Sequence, residues 1–199
     1  MMVVSLSDFT SHSAVISEEA RKSFASLKSN PLQLLLQLVN CVEFLHNERV
    51  AHLDIKPGNF FWSCSNAEFK VVLGDFGQSI DMSSFGDTYV LPPKESVGTT
   101  GYNAPELTSE RKVGYSSDIY ALGITLLELV AKPRDLSLDN PRVLESALNF
   151  LLRQLRQSLT LELFQRARKI LIEMVSADSS KRPKIREIKQ FLQQALFQS

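Results

Sequence analysis

Cysteine is almost missing from this chain. Cys41 and Cys64 are the whole supply in 199 residues. Two cysteines build no disulfide framework, which excludes the small stapled folds of secreted proteins; two free, buried thiols in a reducing compartment are the expected state. Excess charge is missing too. Twenty-two basic residues stand against 22 acidic ones, a net charge of zero, so composition points to neither a nucleic-acid nor an anionic-membrane partner. Long apolar runs are absent. The best candidate, Ala121 to Val130, is too short for a membrane span and contains Glu128. The N-terminus has neither the basic flank nor the apolar core of a signal peptide. No internal repeat or low-complexity tract occurs. What remains is 44% hydrophobic and 22% charged, the balance of one soluble domain with a sizeable core. The expectation is an intracellular protein, cytoplasmic or nuclear.

The strongest periodic signal runs from Leu32 to His46. Leu32, Leu35, Leu36, Val39, Val42 and Leu45 recur at helical spacing, with Pro31 at the helix start and Asn30 as its N-cap. A short loop follows. Phe60-Phe61-Trp62 then reads as a buried strand, Ser63 to Glu68 as a polar turn, and Phe69 to Leu73 as the returning strand. Gln78 to Thr100 has no periodicity and reads as one long functional or mobile loop. Ser116 to Val130 is apolar nearly all round and predicts a buried central helix. Two or three further amphipathic helices are predicted, over about Pro141 to Ser158, Leu161 to Val175 and Ile185 to Phe197, with Pro183 fitting the approach to the last. The fold class is mainly α (α+β), with one small β-hairpin.

Five short blocks stand out between these elements. They are His52-Leu53-Asp54-Ile55-Lys56-Pro57-Gly58-Asn59, Asp75-Phe76-Gly77, Gly98 to Glu106 ending in Ala104-Pro105-Glu106, Asp118 opening the central helix, and Asp178 to Pro183 containing Arg182. Each alone is bland. A tripeptide arises by chance, and a lone histidine is usually a packed core residue. Their order, with a hairpin, a long loop and an apolar helix between them, is not bland. Together they resemble the large lobe of the protein kinases, and the resemblance covers nearly the whole chain. It implies a single domain over residues 1–199, a hinge plus the large lobe, with an activation segment at about 75–106.

The resemblance assigns roles. Phosphoryl transfer needs positioning and charge neutralisation more than covalent chemistry. Asp54 matches the residue that takes the acceptor's proton, and Lys56 the lysine facing the transferred phosphate. Asn59 and Asp75 match the ligands of Mg2+. ATP and Mg2+ are the implied cofactors, with Lys56, Asn59, Phe61 and Asp75 toward the nucleotide. His52, Phe76, Glu106, Asp118 and Arg182 are implied supports: Phe76 against His52, Glu106 paired with Arg182, and Asp118 bonded to the catalytic-loop backbone. Thr99 and Tyr102 fall in the substrate-docking segment. Lys56 followed by Pro57 is the serine/threonine-type pattern, though a tyrosine acceptor stays open. Ser83, Ser84, Thr88, Tyr89 and Ser96 are loop residues that default to solvated positions rather than phosphorylation sites.

The chain also departs from the family. Leu53 stands where most kinases carry the arginine that grips a loop phosphate, so switching through that contact is not expected. His-Leu-Asp is similar to the Wee/Myt and Mos groups. No G-x-G-x-x-G precedes His52, and no Val-Ala-Ile-Lys-like strand does either. Lys22 and Lys28 lie in helical or loop context, while Met2 to Phe9 resembles the family's hinge and the helix after it. The resemblance therefore implies that the small lobe is absent from this sequence, that Phe60, Phe61 and Trp62 form an uncovered apolar face inviting a partner, and that the chain alone is weakly active or inactive. Two functions compete: a protein kinase acting on a protein hydroxyl, and a kinase-like module that binds or scaffolds another kinase.

Overall fold

Helix α1, Pro31–Asn47, forms because leucine and valine repeat through four turns with no breaker after Pro31. Leu32, Leu34, Leu35, Leu38, Val39, Val42 and Leu45 are buried along it. Leu34 and Leu38 widen the buried face beyond the predicted stripe, while Leu36 is only partly buried. The computed structural model describes residues 3–6, 31–65, 68–131, 141–157 and 159–198. Asn30, Lys22, Lys28 and most of the hinge-like stretch lie outside them. What is described of that stretch is strand β1, Val3–Ser5, with Leu6 buried after it.

The remaining elements follow in chain order. They are β2 (Val50–Ala51), β3 (Phe60–Ser65), β4 (Glu68–Leu73), β5 (Ile80–Asp81), β6 (Thr88–Val90), α2 (Pro105–Glu110), β7 (Lys112–Gly114), α3 (Tyr115–Ala131), α4 (Pro141–Leu155), α5 (Leu161–Met174) and α6 (Ile185–Gln198). A 3-10 turn at Pro57–Asn59 leads into β3, and another at Ser179–Lys181 precedes α6.

β3 is the centre of a three-stranded antiparallel sheet between β1 and β4. Phe60 faces Leu73, Phe61 faces Val72 and Trp62 faces Val71. The hairpin is longer than the sequence suggested: the strands run to Ser65 and restart at Glu68, so the turn is shorter than Ser63 to Glu68. Strand alternation also corrects the expected apolar face. Phe60 and Trp62 point into the core, at 0% and 1% exposure, with Val71 beside them. Phe61 and Val72 turn outward, Val72 at 43%. The run Phe60 to Trp62 is therefore not an uncovered patch.

α3 crosses the centre. Ile119, Leu122, Ile124, Leu126, Leu127, Leu129 and Val130 are all buried on it, which is why the helix is apolar nearly all round. Gly123 lets α5 approach: a Cβ there would lie 2.8 Å from a Val175 methyl. The long loop is not structureless. β5 pairs with β2, and β6 pairs with β7, antiparallel in both cases. These pairings surround a second apolar cluster of Ala51, Leu53, Met82, Leu91 and Val113. Among the described residues no helix is long and apolar enough to cross a membrane.

Candidate active site

The site is suspended from Asp118, a fully buried carboxylate in the first turn of α3. Its Oδ2 accepts from the His52 backbone N–H at 2.8 Å and from His46 Nε2 at 2.9 Å; its Oδ1 accepts from the Leu53 N–H at 2.8 Å. A buried carboxylate needs such donors to offset its desolvation. Here two of them are the backbone of the motif loop, which fixes its path. Leu53 takes the left-handed conformation, φ 65°. That costs a non-glycine residue about 1–3 kcal/mol, and burial of Leu53 in the second cluster offsets it.

His52 is buried and serves as a brace. Its Nε2 donates to the Gly74 carbonyl at 3.0 Å, and that bond fixes the tautomer. Nδ1 is then left to accept from the Asp54 N–H at 3.3 Å. Gly74 N–H in turn donates to the Asn59 carbonyl at 2.9 Å. The segment before Asp75 is thus tied to the motif loop from both sides.

Asp54 sits where the donors converge. Its Oδ1 accepts from the Thr99 hydroxyl at 2.6 Å. Its Oδ2 accepts from Lys56 Nζ at 2.8 Å and Asn59 Nδ2 at 2.9 Å. Asn59 Nδ2 also donates to the Asp54 carbonyl at 2.8 Å, and Lys56 Nζ donates to the Thr99 hydroxyl at 2.8 Å. Burial pushes the Asp54 carboxyl upward. The hydrogen bonds from Lys56, Thr99 and Asn59, with the charge on Lys56, outweigh burial and hold it below the ordinary carboxylate range. Asp54 is an ionised acceptor at neutral pH.

Asp75 is exposed and also left-handed, at φ 64°. Phe76 does meet His52, with ring centroids 5.3 Å apart, but it is half exposed rather than a core residue. Among the described residues there is no cluster of three or more His, Cys, Asp or Glu fit to hold a metal. The oxygen donors at hand are the Asp75 carboxylate and Asn59 Oδ1, the latter left over because the Asn59 nitrogen is spent on Asp54. Few hard oxygen ligands suit Mg2+. Phe61 is half-buried beside them; a Cβ on Gly74 would lie 3.0 Å from its ring.

The lower flank is built on Glu106 and Arg182, both buried. Arg182 Nη1 and Nη2 donate to the two carboxylate oxygens at 2.7 and 2.8 Å, the bidentate geometry suited to guanidinium. Tyr102 is hydrogen-bonded through its hydroxyl to Glu128. Burial first, and then that carboxylate, push the phenol well above its usual range, so it remains a donor.

Four contributors escaped sequence reading. His46 holds Asp118 from the end of α1. Gln78 Oε1 accepts from the Gly98 N–H, tying the two ends of the 75–106 segment together. Gly98 has φ 81°, and a Cβ there would fall 1.9 Å from Asn103 Oδ1, so only glycine fits. Arg111 grips the loop's carbonyls: Leu91 at 3.4 Å, Glu95 at 2.8 Å and Pro92 between them. Glu128 had one signal, a lone acid in an apolar helix. The other three had none, because their partners are backbone groups or distant in sequence.

The profile described as "Protein kinase domain" matches residues 1–195. "Protein kinase STUNTED" of Arabidopsis thaliana is 37% identical over 118 residues, covering 58% of this chain and 18% of that protein. "Serine/threonine-protein kinase PKH3" of Eremothecium gossypii is 37% identical over 98 residues, 48% of this chain and 13% of its own length. "Serine/threonine-protein kinase B" of Synechocystis is 34% identical over 118 residues, 57% and 20%. The chain thus spans a fifth or less of these relatives.

Proposed function

The chain belongs to the protein kinase domain family, and from that premise we propose that residues 52–59, 75 and 99 are the floor of a phosphoryl-transfer site acting on a protein hydroxyl. One observation carries the reading: the Asp54 carboxylate is held ionised by Lys56, Asn59 and Thr99 while Asp118 fixes the backbone beneath it. Asp54 orients an acceptor hydroxyl and receives its proton. Lys56 is the adjacent cation for the charge on the transferred group. Thr99 keeps Asp54 turned toward the docking segment, where Tyr102 is fixed by Glu128. Asn59 Oδ1 and the Asp75 carboxylate are the ligands for Mg2+. Mg2+ held there would neutralise phosphate charge on ATP. Phe61, half-buried on β3, offers an apolar surface to the nucleotide base. The Lys56–Pro57 pair favours a serine or threonine acceptor. Cys41, a free thiol, supports an intracellular setting.

These 199 residues contain no G-x-G-x-x-G, so nucleotide held by them alone is expected to bind weakly. That observation, with Phe76 and Val72 half exposed near the site, favours a second reading: a kinase-like module that regulates another kinase without catalysis. One titration separates the two. Under the first reading, Mg-ATP raises the melting temperature, the effect requires Mg2+, and Asp75→Ala abolishes it without lowering the unliganded melting temperature. The second reading is left standing if no Mg2+-dependent shift occurs, or if Asp75→Ala leaves it unchanged.

A further inference from the structure

α4 and α5 enclose a groove on a face that the phosphoryl-transfer site does not use. It consists of two adjoining concavities of about 340 and 430 Å³ that share Asn149 and Arg153. Charge is concentrated here. Residues 141–169 hold six basic side chains (Arg142, Arg153, Arg156, Arg166, Arg168 and Lys169) against two acidic ones (Glu145 and Glu162), a net charge of +4 in a chain whose total is zero.

Arg166 turns to Gln194, at 2.8 Å, and Lys169 to Glu173. Arg156 lies over the Phe164 ring, 5.6 Å from its centroid. Arg153 and Arg168 are exposed and have no carboxylate partner among the described residues. Arg153 lies in the last turn of α4 and Arg156 just past its end, and Arg168 lines the same concavity from α5. The wall between them is apolar: Leu152 and Phe164, with Phe150 44% exposed at the edge.

We propose that this groove docks an acidic peptide segment of a partner protein, with carboxylates on Arg153 and Arg168 and an apolar side chain against Phe150. Guanidinium favours carboxylate through its paired donors, and aromatic surface beside arginine is the composition of interface centres. A long polyanion fits less well, because the rest of the chain sums to −4 and repels it beyond the groove. A flat bilayer does not enter a concavity.

The test is fluorescence anisotropy of the 199-residue chain with a labelled peptide of alternating Glu and Phe, needing no nucleotide. Its outcome is therefore separable from the phosphoryl-transfer reading. Binding should weaken with rising salt. The double variant Arg153→Glu, Arg168→Glu should lose about tenfold or more in affinity, as close charge pairs at interfaces do. The double variant Lys70→Glu, Lys94→Glu, an equal charge change at exposed residues elsewhere, should not. Circular dichroism of the double variant, altered only at exposed positions, should match the parent. The proposal is overturned if the parent does not bind, or if the Lys70→Glu, Lys94→Glu control loses as much. It is overturned equally if an oligothymidylate or phosphatidylserine vesicles bind more tightly than the peptide through the same two arginines.

Discussion

Removing the carboxylate of Glu106 is the sharpest perturbation that this fold offers. Glu106 and Arg182 have side chains 8% and 0% exposed, joined at 2.7 and 2.8 Å. Arg182 also donates through Nε to the Ser176 carbonyl at 2.9 Å and through Nη1 to the Ser116 carbonyl at 3.0 Å, and it covers the Tyr120 ring. Ser117 donates to Glu106 Oε1 at 3.0 Å. Glu106→Ala therefore leaves a buried guanidinium with two carbonyls and no counter-charge. Orphaning one partner of a buried pair costs about 3–5 kcal/mol. The two carbonyls keep this case near the lower end.

Glu106→Gln keeps one oxygen for Arg182 but sets an amide N–H against the other guanidinium arm. That loss is about 1–3 kcal/mol, on the scale of a hydrogen bond to a charged group. Urea denaturation measures both. With a slope of roughly 2 kcal/mol per molar, a loss of about 3 kcal/mol moves the midpoint by about 1.5 M. The decisive comparison is the double variant Glu106→Leu, Arg182→Met, which removes both charges and should recover most of the loss. If Glu106→Ala costs no more than Glu106→Gln, or if the double variant is as unstable as the summed singles, the pair is not acting as a buried charge pair and the reasoning fails.

Three other outcomes follow from the same contacts. The folded pKa of Asp54 lies below its unfolded value, so its contribution is complete above about pH 4 and is lost as pH falls through the folded value; the stability gap between parent and Asp54→Asn should be flat near neutrality and close in acid, and a gap constant into acid would contradict the donor cluster. Burial pushes the Cys41 thiol up to about 11, so iodoacetamide should label Cys41 slowly in the native chain and rapidly in urea, as read by mass spectrometry of its peptide; equal rates would mean that the thiol is not protected. Arg111→Gly relieves a left-handed residue at φ 54° yet removes the grip on Leu91, Pro92 and Glu95, so hydrogen exchange of the Leu91 amide should speed by about tenfold or more, the loss of one to two bonds, while the amides of α1 stay protected; unchanged exchange would assign the loop's order elsewhere.

Period and punctuation made most of the helices legible. The repeat in α1, the all-round apolar α3 and the prolines at 31, 141 and 183 each act through a neighbour within a few residues. The five blocks were legible because loop chemistry imposes fixed spacing. What escaped was long-range. Strand alternation buries Phe60 and Trp62, and only the pairing with Val71 and Val4 decides which way they face. The loop from Gln78 to Thr100 read as irregular because β5 and β6 are two and three residues long, too short to carry a period. Leu53 read as a lost arginine; its place among Met82, Leu91 and Val113 depends on contacts up to sixty residues away.

That last contact changes how the 75–106 segment is held. In a kinase with arginine at the Leu53 position, order in this segment can depend on a phosphate and hence on an ionic bond that is made and broken. Here Ile80, Met82, Tyr89, Leu91 and Val97 pack on or around Leu53 instead. Fully burying a side chain of this size contributes about 1.5–3 kcal/mol, so Met82 or Leu91 alone is on a par with a strong charge-assisted bond. Gln78 to Gly98, β6 to β7 and Arg111 to three carbonyls then close the segment with hydrogen bonds that need no added group. A phosphate on Ser83, Thr88 or Ser96 would meet no guanidinium at position 53, and Arg111 is already committed to backbone oxygens. Apolar burial does not respond to a single charge change as an ion pair does, so switching of the segment through position 53 is not expected.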